Sequence, residues 1–399
     1  MKNIIYIGNF FFPMGNAAGK RVYANGKILQ KLGYNVLFIG QDKQLCCDKC
    51  LKSTENLYDG FYHYAYSYPR TNVEWMRYKK AFNLLVEFVE QDLINNLEFI
   101  IIYGSPRFSF FNTLLIKYFK RRGVRIIADS VDWLTTKTNN IFFDIVKTFH
   151  YSYQNSYINK CSDGVIVISE YLEAYYKNAG IKTVLIPPLS VIDNELILIN
   201  NENYKTLVYA GLPFRKGQVI RDLNTLKDRI DKTIVLLYKV KEKGGNFVFN
   251  IYGFTKDEYL KVIPSQVKYV EGLGKSIQFH GMKLNEEVTK EISKADFTIL
   301  VRDVNRDTTA GFPTKISESI SCGTPVITTK TSDLENYIID GVHGFYINID
   351  DENEAVKEVI NAISSKRENI LNMKMNCINS KAFYFEKYIG RLERFIEML

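Results

Sequence analysis

The segment Gly311-Phe312-Pro313-Thr314-Lys315-Ile316-Ser317-Glu318 leads into Ser321-Cys322-Gly323-Thr324-Pro325-Val326-Ile327, and this stretch indicates the fold of the chain. The apolar run 297–301 before it is typical of a buried parallel strand. Thr314 is predicted to cap a short helix that ends at Gly323, after which a second strand follows. A strand, a loop, a helix and a strand in this order predict an α/β domain.

The start of this predicted helix is suited to bind an anion. The first backbone N–H groups of a helix lack partners inside it, and the helix dipole adds positive charge beside Lys315. Ile316 and Ile320 would face the core, whereas Glu318 lies roughly 200° around the helix from Ile316. Glu318 is therefore predicted to point outward, where a carboxylate can hold ribose hydroxyls. The alternative is an ordinary helix start without a ligand.

These residues resemble the donor-binding motif of retaining glycosyltransferases of family 4, also called glycosyl transferases group 1, which have the two-domain GT-B fold. That family has two glutamates eight positions apart. Glu318 matches the second, whereas Ala310 stands at the position of the first. Some relatives have a Pro-x-Lys-x-x-Glu form instead, which Pro313, Lys315 and Glu318 match. The resemblance covers most of the chain and is denser after Lys205.

The resemblance implies an activity for the chain. Such an enzyme is retaining and metal-independent, and it moves a sugar from a nucleoside diphosphate sugar to a glycan or lipid-linked acceptor. The donor is a co-substrate, so no cofactor is expected. In the motif, Thr314 and Lys315 would bind the donor diphosphate, Glu318 the ribose, and Gly311, Phe312 and Pro313 the sugar.

Length and hydrophobic patterning predict two domains. The 399 residues exceed what one core usually supports. Apolar runs alternate with amphipathic stretches in both halves, which favours two Rossmann-like, doubly wound parallel sheets facing an interdomain cleft. We predict an N-terminal acceptor-side domain at 1–195 and a C-terminal nucleotide-sugar-binding domain at 196–382. The resemblance implies that a terminal helix at about 383–399 packs back on the first domain.

Strands and helices can be placed from the same pattern. The predicted strands are 4–7, 35–39, 99–103, 125–128, 165–168, 184–186, 206–210, 247–252, 277–280, 297–301, 326–328 and 344–347. A helix is predicted from Arg21 to Leu32. A capping-box pattern at 332–335 predicts the start of another helix.

Charge and hydropathy limit the partners. The net charge of +8 favours anionic partners, namely nucleotide phosphates, acidic membrane or nucleic acid, and nucleic acid is not expected because no recognition motif accompanies the charge. No segment reaches the roughly 20 apolar residues that span a bilayer. The first residues run into a predicted strand, which predicts a cytoplasmic protein without a signal peptide. Basic and aromatic residues at 75–82 and 117–122 suggest either solvated faces or contact with the inner face of the cell membrane.

The six cysteines leave two interpretations. Residues 46–50 contain a Cys-x-x-Cys spacing, but no second pair completes a zinc site. Reduced thiols are therefore favoured over structural zinc, and no metal site is expected.

Two loops after predicted strands offer phosphate contacts. Gly15 and Gly19 lie in a small-residue loop before a helix, where backbone can approach a ligand closely, although an ordinary turn is the alternative. Arg215 and Lys216 follow the strand at 206–210, and two cations can neutralise a departing diphosphate. Arg302 either joins this cluster or pairs with its neighbour Asp303.

Two further strand ends are predicted to contact the nucleobase. Gly253 and Phe254 follow one strand, and His280, Gly281 and Met282 end another. The carboxyl ends of parallel strands meet at one edge, where open α/β folds bind ligands. In the family that the chain resembles, this loop contacts the nucleobase largely through its backbone, so His280 is interpreted as such a contact rather than as a catalytic base.

Asp132 is the candidate catalytic residue, and the resemblance implies that it touches the donor sugar or the acceptor. It follows the predicted strand 125–128, and the family carries an Asp-x-x-Asp element here that Asp129 and Asp132 resemble. Capping of a helix is the alternative role. No protein nucleophile is assigned.

Two other functions stay open. Ala310 is compatible with a non-catalytic partner that binds nucleotide sugar, and the same fold serves nucleotide-sugar 2-epimerases. Analysis of the sugar product separates these functions from a glycosyltransferase. The nucleobase, the sugar and the acceptor are not specified by the sequence.

Overall fold

A computed structural model describes residues 2–13, 15–42, 57–67, 79–92, 96–104, 109–133, 141–191, 202–214, 217, 219–220 and 222–399. The chain divides into two compact units. The first comprises Met1–Val191, Ala310–Phe312 and Phe385–Leu399, and the second Ile192–Thr309 and Pro313–Tyr384. The predicted boundary between 195 and 196 lies outside the described residues, as do residues 46–50 with their Cys-x-x-Cys spacing.

The first unit is built on an eight-stranded sheet. Its strands in chain order are β1 Asn3–Gly8, β2 Asn35–Asp42, β3 Leu57–Tyr58, β4 Phe61–Ser67, β5 Leu97–Tyr103, β6 Arg125–Ser130, β7 Gly164–Val167 and β8 Thr183–Leu185. The order across the sheet is β3-β4-β2-β1-β5-β6-β7-β8. All neighbours pair in parallel except β3 and β4. Consistent with a parallel sheet covered on both faces, β6 and β7 are almost entirely buried.

Helices connect these strands. They are α1 Ala17–Lys31, α2 Lys79–Asp92, α3 Ser109–Lys120, α4 Ile141–Tyr153 and α5 Glu170–Lys177. A π-helical turn, Gln154–Ile158, continues α4. Side chains of β1, β5 and β6 form a core with α2 and α3 on one side of the sheet, including Ile5, Ile100, Leu115 and Phe119.

The second unit is built on a six-stranded parallel sheet. Its strands are β9 Lys205–Ala210, β10 Phe247–Tyr252, β11 Ile277–Phe279, β12 Phe297–Leu300, β13 Val326–Thr328 and β14 Gly344–Tyr346. The order across the sheet is β11-β10-β9-β12-β13-β14. The α-helices are α6 Ile230–Glu242, α7 Lys256–Val262, α8 Val267–Leu273, α9 Asn285–Lys294, α10 Arg306–Ala310, α11 Thr314–Ser321, α12 Glu352–Ile363 and α13 Arg367–Ser380. Two doubly wound parallel sheets are thus confirmed.

The last helix, α14 Ile389–Met398, belongs to the first unit. A Cβ atom added at Gly164 in β7 would lie 2.6 Å from the Phe395 ring and 2.7 Å from Leu399, so the helix packs directly on this strand. Phe395 is buried, and Arg391 donates to the Leu185 carbonyl at 3.1 Å.

Several local predictions were wrong. The helix predicted from Arg21 begins at Ala17, because Asn16 Oδ1 accepts from Gly19 N at 2.8 Å and caps it. The capping-box pattern at 332–335 opens no α-helix, since Ser332 has a φ of 51° and a 3₁₀ turn follows at Leu334–Asn336. The terminal helix does not start at 383, because a 3₁₀ turn, Phe385–Tyr388, precedes α14. Strands β3 and β4 were not predicted.

Two absences hold for the part of the chain that the structure describes. No helix there is both long and apolar enough to cross a bilayer. In the same residues, no three His, Cys, Asp or Glu side chains form a group that could hold a metal ion.

Replacing Phe395 with alanine should destabilise the first unit. Removing a fully buried ring typically costs about 3–5 kcal/mol in the free energy of unfolding. Glu393→Ala, an exposed change in the same helix, should cost no more than about 0.5 kcal/mol. Denaturant titrations followed by circular dichroism measure both, and equal stabilities would contradict the packing of α14 on β7.

Candidate functional site

The site in the second unit lies at the carboxyl edge of its sheet, between β9 and β12. These two strands are neighbours in the sheet. From β9 the strand order runs outward through β10 to β11, and from β12 it runs outward on the other side through β13 to β14. In open α/β sheets, ligands bind in the crevice at such a switch point. Gly211 follows β9 and Arg302 follows β12. Helix α11 begins at Thr314, between β12 and β13 in the chain.

A buried carboxylate, Asp228, organises this crevice. Its Oδ1 accepts from Arg302 Nε at 2.8 Å, and Arg302 Nη2 lies 2.6 Å from the same oxygen. Its Oδ2 accepts from Lys315 Nζ at 2.7 Å and from the Tyr209 hydroxyl at 3.0 Å. Asp228 and Arg302 are only 5% and 6% exposed. One carboxylate therefore joins residues from β9, the end of β12 and the first turn of α11.

Electrostatics keep this carboxylate ionised. Burial opposes ionisation of Asp228, but Lys315 and Arg302 more than offset this effect, so the pKa of its carboxyl lies well below the usual value. Burial, reinforced by the charge on Asp228, raises the pKa of Tyr209 well above its ordinary value, so this residue stays a neutral donor. Arg302 Nη1 is buried and has no hydrogen-bond partner among the described residues.

The predicted motif residues at 311–318 lie around the start of α11. Thr314 was predicted to cap this helix, but it is the first helical residue, and the cap position is held by Pro313, which makes no side-chain cap bond. Gly311 and Phe312 are buried. Glu318 is half-buried in the second turn of α11, one turn after Lys315.

Two of the predicted phosphate-binding cations, Arg215 and Lys216, lie outside the described residues. Arg302 was predicted either to join the cation cluster or to pair with Asp303. It joins Lys315 on Asp228, while Asp303 pairs with Arg229 and, at 2.6 Å, with Lys232.

The loops predicted to contact the nucleobase are held together by their backbones. Gly211 N donates to the Tyr252 carbonyl at 2.9 Å, and Gly253 N donates to the Gly281 carbonyl at 2.7 Å. A Cβ at Gly253 would lie 2.3 Å from the Gly211 oxygen, so the close approach of these loops requires glycine there. The loops after β9, β10 and β11 therefore form one edge.

The side chains of these loops differ in exposure. His280 stacks on Tyr252 with ring centroids 4.6 Å apart, and its Nε2 lies 2.8 Å from Asn250 Oδ1. Burial lowers the pKa of His280, which favours the neutral ring. The Phe254 ring is fully buried, so a nucleobase could meet only its backbone, whereas Met282 is 66% exposed.

In the first unit, Asp129 serves the core. The fully buried carboxylate accepts from the Tyr6 hydroxyl at 2.5 Å and from Arg21 Nη2 at 2.7 Å. Arg21 also donates to the Ile186 carbonyl at 2.8 Å. Asp129 therefore ties α1 and β1 to β6, while Arg21 reaches on to the segment after β8, and each charge in the pair has its counter-charge.

Asp132 lies in a different environment, at an open pocket of the first unit. The pocket is lined by Asn9, Ala18, Tyr103, Gly104, Ser130, Val131, Asp132, Tyr151, Gln154 and Asn155. Asn155 Nδ2 donates to the Asp132 carbonyl at 3.2 Å, and Asn155 Oδ1 accepts from Ser130 at 3.2 Å. The π-helical turn that begins at Gln154 brings both amides to the pocket, a placement often found at functional sites.

Both candidate glycines were predicted in a loop, but only Gly15 lies in the loop before α1, whereas Gly19 is in the first turn of the helix, and both pack closely against Phe11. A Cβ at Gly19 would lie 2.3 Å from the Phe11 oxygen, and one at Gly15 would lie 2.7 Å from Phe11 Cβ. The Gly19 N–H is already bonded to Asn16 Oδ1. A phosphate contact from Gly19 N–H would therefore compete with the helix cap.

Sequence reasoning missed Asp228 and Tyr209. Asp228 stands in a polar stretch, Lys227-Asp228-Arg229, directly before an amphipathic helix, and this stretch reads as a helix start. The pocket residues Asn9, Gln154 and Asn155 were missed as well, since single amides carry no spacing signal. The order of strands brings Asp228, Tyr209 and Asn9 to the carboxyl edges of the sheets, and the π-helical turn brings Gln154 and Asn155 to the pocket.

Asp129 and Asp132 should respond differently to replacement by alanine. Asp129→Ala leaves Arg21 buried without its counter-charge, which should cost about 3–5 kcal/mol in the free energy of unfolding. Asp132→Ala should change stability by less than about 1 kcal/mol, because Asp132 is half-buried at an open pocket. Urea titrations of the two variants test this, and a larger loss for Asp132→Ala would reverse the assignment.

Comparison with known proteins locates the family signal in the second unit. Residues 222–365 match the family described as Glycosyl transferases group 1. The sequence matches no curated protein at a significant level.

Solved structures resemble the whole chain. Sucrose-phosphate synthase from Thermosynechococcus elongatus is 14% identical with a TM-score of 0.71, covering 100% of this chain and 99% of its own. The lipopolysaccharide outer core galactosyltransferase WaaB is 14% identical with a TM-score of 0.64 and 99% coverage of both chains. Anabaena HepE, solved in complex with UDP and glucose, is 12% identical with a TM-score of 0.63 and 100% coverage of both chains. The chain thus has the GT-B fold, and residues 222–365 in its second unit match the glycosyl transferases group 1 family.

Proposed function

We propose that this protein is a retaining, metal-independent glycosyltransferase that moves a sugar from a nucleoside diphosphate sugar to an acceptor. The observation that carries the proposal is the pair of cations, Arg302 and Lys315, held on Asp228 at the carboxyl edge of a Rossmann-like sheet. All three residues lie within the segment that matches the glycosyl transferases group 1 family.

The chemistry of the leaving group fits this arrangement. A nucleoside diphosphate accumulates negative charge as the bond to the sugar breaks, and fixed cations stabilise that charge in the transition state. The three side chains carry two positive charges and one negative charge, so one positive charge is left for the phosphates. Arg302 and Lys315 would then stabilise the negative charge on the phosphates, which a divalent metal ion stabilises in other transferases.

The remaining donor contacts are assigned by position. Glu318 would hold the ribose hydroxyls, and the glycine-bearing loops at Gly253 and Gly281 would face the nucleobase through their backbones. The Anabaena HepE complexes with UDP, with UDP-glucose and with UDP and glucose favour a uridine nucleotide as the first donor to test. Arg215 and Lys216 are further candidates for the diphosphate.

The acceptor side is assigned to the first unit. Asp132 and the amides of its pocket are groups that bind sugar hydroxyls, so a glycan or a lipid-linked glycan is the proposed acceptor. We propose that the protein acts in the cytoplasm at the inner face of the cell membrane, in synthesis of a surface polysaccharide or glycoconjugate. Part of the basic run at 117–122 is engaged within the unit, where Arg122 pairs with Glu90 at 2.6 Å and Lys120 with Asp163 at 2.8 Å.

One observation favours a second candidate function. Ala310 stands where the family has the first glutamate, and its side chain is buried. A protein that binds the nucleotide sugar without turnover would be compatible with this replacement. Incubation with UDP-sugars and an acceptor, followed by mass spectrometry, separates the three functions: transfer forms a glycosylated acceptor, epimerisation changes the sugar without an acceptor, and simple binding yields no product.

Nucleoside diphosphates should stabilise the protein. Stabilisation of about 2.7 kcal/mol is expected at a hundredfold excess over the dissociation constant. Glu318→Ala should weaken binding about tenfold or more, because it removes the charged carboxylate that accepts hydrogen bonds from the ribose hydroxyls. Thermal-shift titrations with UDP, GDP and ADP measure both effects.

The matched control is Glu368→Ala, which removes an exposed glutamate from α13 in the same unit. It should bind nucleotides as the wild type does. The absence of a shift with all three nucleoside diphosphates would remove the donor site, and equal binding by Glu318→Ala would remove the ribose contact.

Turnover should survive removal of divalent metals, and the anomeric configuration of the transferred sugar should be retained. The two cations of the site supply the charge neutralisation, so EDTA should leave the initial rate unchanged. The coupling constant of the anomeric proton in the product gives its configuration. Loss of activity with EDTA that Mg²⁺ or Mn²⁺ restores would contradict the metal-independent mechanism, and an inverted product would contradict retention.

A further inference from the structure

We propose that Asp228 is a positioning residue that holds Arg302 and Lys315 side by side as a two-cation clamp for the phosphates of the donor. This inference rests on the proposed function and assigns to one buried carboxylate the geometry of the phosphate site. Asp228 itself would not touch the donor.

The two oxygens of Asp228 bind different cations. Oδ1 receives both Arg302 contacts, from Nε at 2.8 Å and Nη2 at 2.6 Å, whereas Oδ2 receives Lys315 Nζ at 2.7 Å. The spacing of the two cations is therefore set by the width of a single carboxylate. The Tyr209 hydroxyl, at 3.0 Å from Oδ2, fixes the orientation of that carboxylate.

The backbone around the clamp is fixed independently of any ligand. Arg229 N, next to Asp228, donates to the Val301 carbonyl at 2.8 Å, which attaches this segment to the end of β12. Arg302 N donates to Thr329 Oγ1 at 3.0 Å, and the same hydroxyl donates to the Arg302 carbonyl at 2.8 Å. Backbone hydrogen bonds thus hold Asp228 and Arg302 near each other at the end of β12, independently of the ion pair between their side chains.

Lys315 reaches Asp228 by passing over Gly211. A Cβ atom at position 211 would lie 2.3 Å from Lys315 Cε and 2.8 Å from its Nζ. The lysine can occupy this path because residue 211 has no side chain. The loop after β9 is therefore shaped for this contact.

The charge balance indicates that the clamp is built for an anion. Two cations share one carboxylate, and Arg302 Nη1 is buried without a partner among the described residues. An uncompensated charge in a buried site is costly unless a counter-charge arrives. A phosphate group would supply both the missing charge and an acceptor for Nη1.

A neighbouring cluster shows the contrast. Arg229 pairs with Asp231 at 2.7 Å and with Asp303, which also accepts from Lys232 at 2.6 Å. These four side chains carry two charges of each sign, so they balance. The excess of positive charge thus belongs to the cluster on Asp228, at the carboxyl edge between β9 and β12.

The test compares Asp228→Asn with the wild type in binding of UDP, GDP and ADP and of the corresponding monophosphates UMP, GMP and AMP. The amide keeps the shape of the side chain but removes the charge that holds both cations. Affinity for the preferred diphosphate should fall about tenfold or more, since hydrogen bonds between charged groups are lost. Affinity for the monophosphate should fall less, so the preference for two phosphates should shrink.

The matched control is Asp296→Asn. Asp296 is a buried carboxylate of the same unit that accepts from Thr206 N at 2.7 Å and pairs with Arg367, but it lies at the opposite, amino edge of the sheet. This variant should lose stability yet keep the wild-type ratio of diphosphate to monophosphate affinity. A general loss of stability would lower the affinities for diphosphate and monophosphate alike and leave their ratio unchanged, which separates positioning from a structural role.

The outcomes decide between the two proposals. If the wild type binds a nucleoside diphosphate and Asp228→Asn binds it equally or more tightly, the positioning role is overturned and the proposed function stands. If the wild type binds none of the nucleotides, both proposals are overturned. Should Asp228→Asn fail to fold, Asp228→Glu, which keeps the charge but moves the carboxylate by one methylene, must show the reduced ratio, and an unchanged ratio overturns the clamp.

Discussion

A carboxylate buried beneath a sheet edge has to be neutralised, and in the second unit this requirement arranges the candidate site. Asp228 is almost fully buried and pairs with Arg302, after the end of β12, and with Lys315, in the first turn of α11. Because these elements are far apart in sequence, the ion pairs also fix how the loops after the strands lie relative to one another. The arrangement leaves positive charge where a phosphate would bind.

The first unit meets the same physical requirement with a different result. Asp129 is also fully buried, but its charge is balanced by Arg21 and its second oxygen accepts from Tyr6. The pair has no excess charge that could bind an anion. It attaches α1 to the sheet. The polar lining of the pocket at Asp132 instead consists of this carboxylate with amides and hydroxyls, which suit neutral hydroxylated ligands better than phosphate. The two units thus offer two kinds of chemistry.

Much of the fold could be predicted because its signals are local. Apolar runs of three to six residues separated by amphipathic stretches predicted every parallel strand of the two sheets except β4. The errors occurred where local patterns compete with geometry. Ser332 to Glu335 has the letters of a capping box, yet the backbone at Ser332 turns to positive φ and leads into a single 3₁₀ turn. Strand β4 was missed although Tyr62, Tyr64 and Tyr66 recur at every second residue, which is the period of a strand.

The sequence by itself determined the α/β class, the glycine-bearing turns and the motif from Gly311 to Glu318, because each depends on residues close together in the chain. It also placed Lys315 and Arg302 at ends of secondary-structure elements. Only the tertiary structure decided that both cations converge on Asp228 and that Asp129 belongs to the core. Ion pairs between residues 74 and 87 positions apart depend on the order of strands in the sheet, and no local pattern records that order.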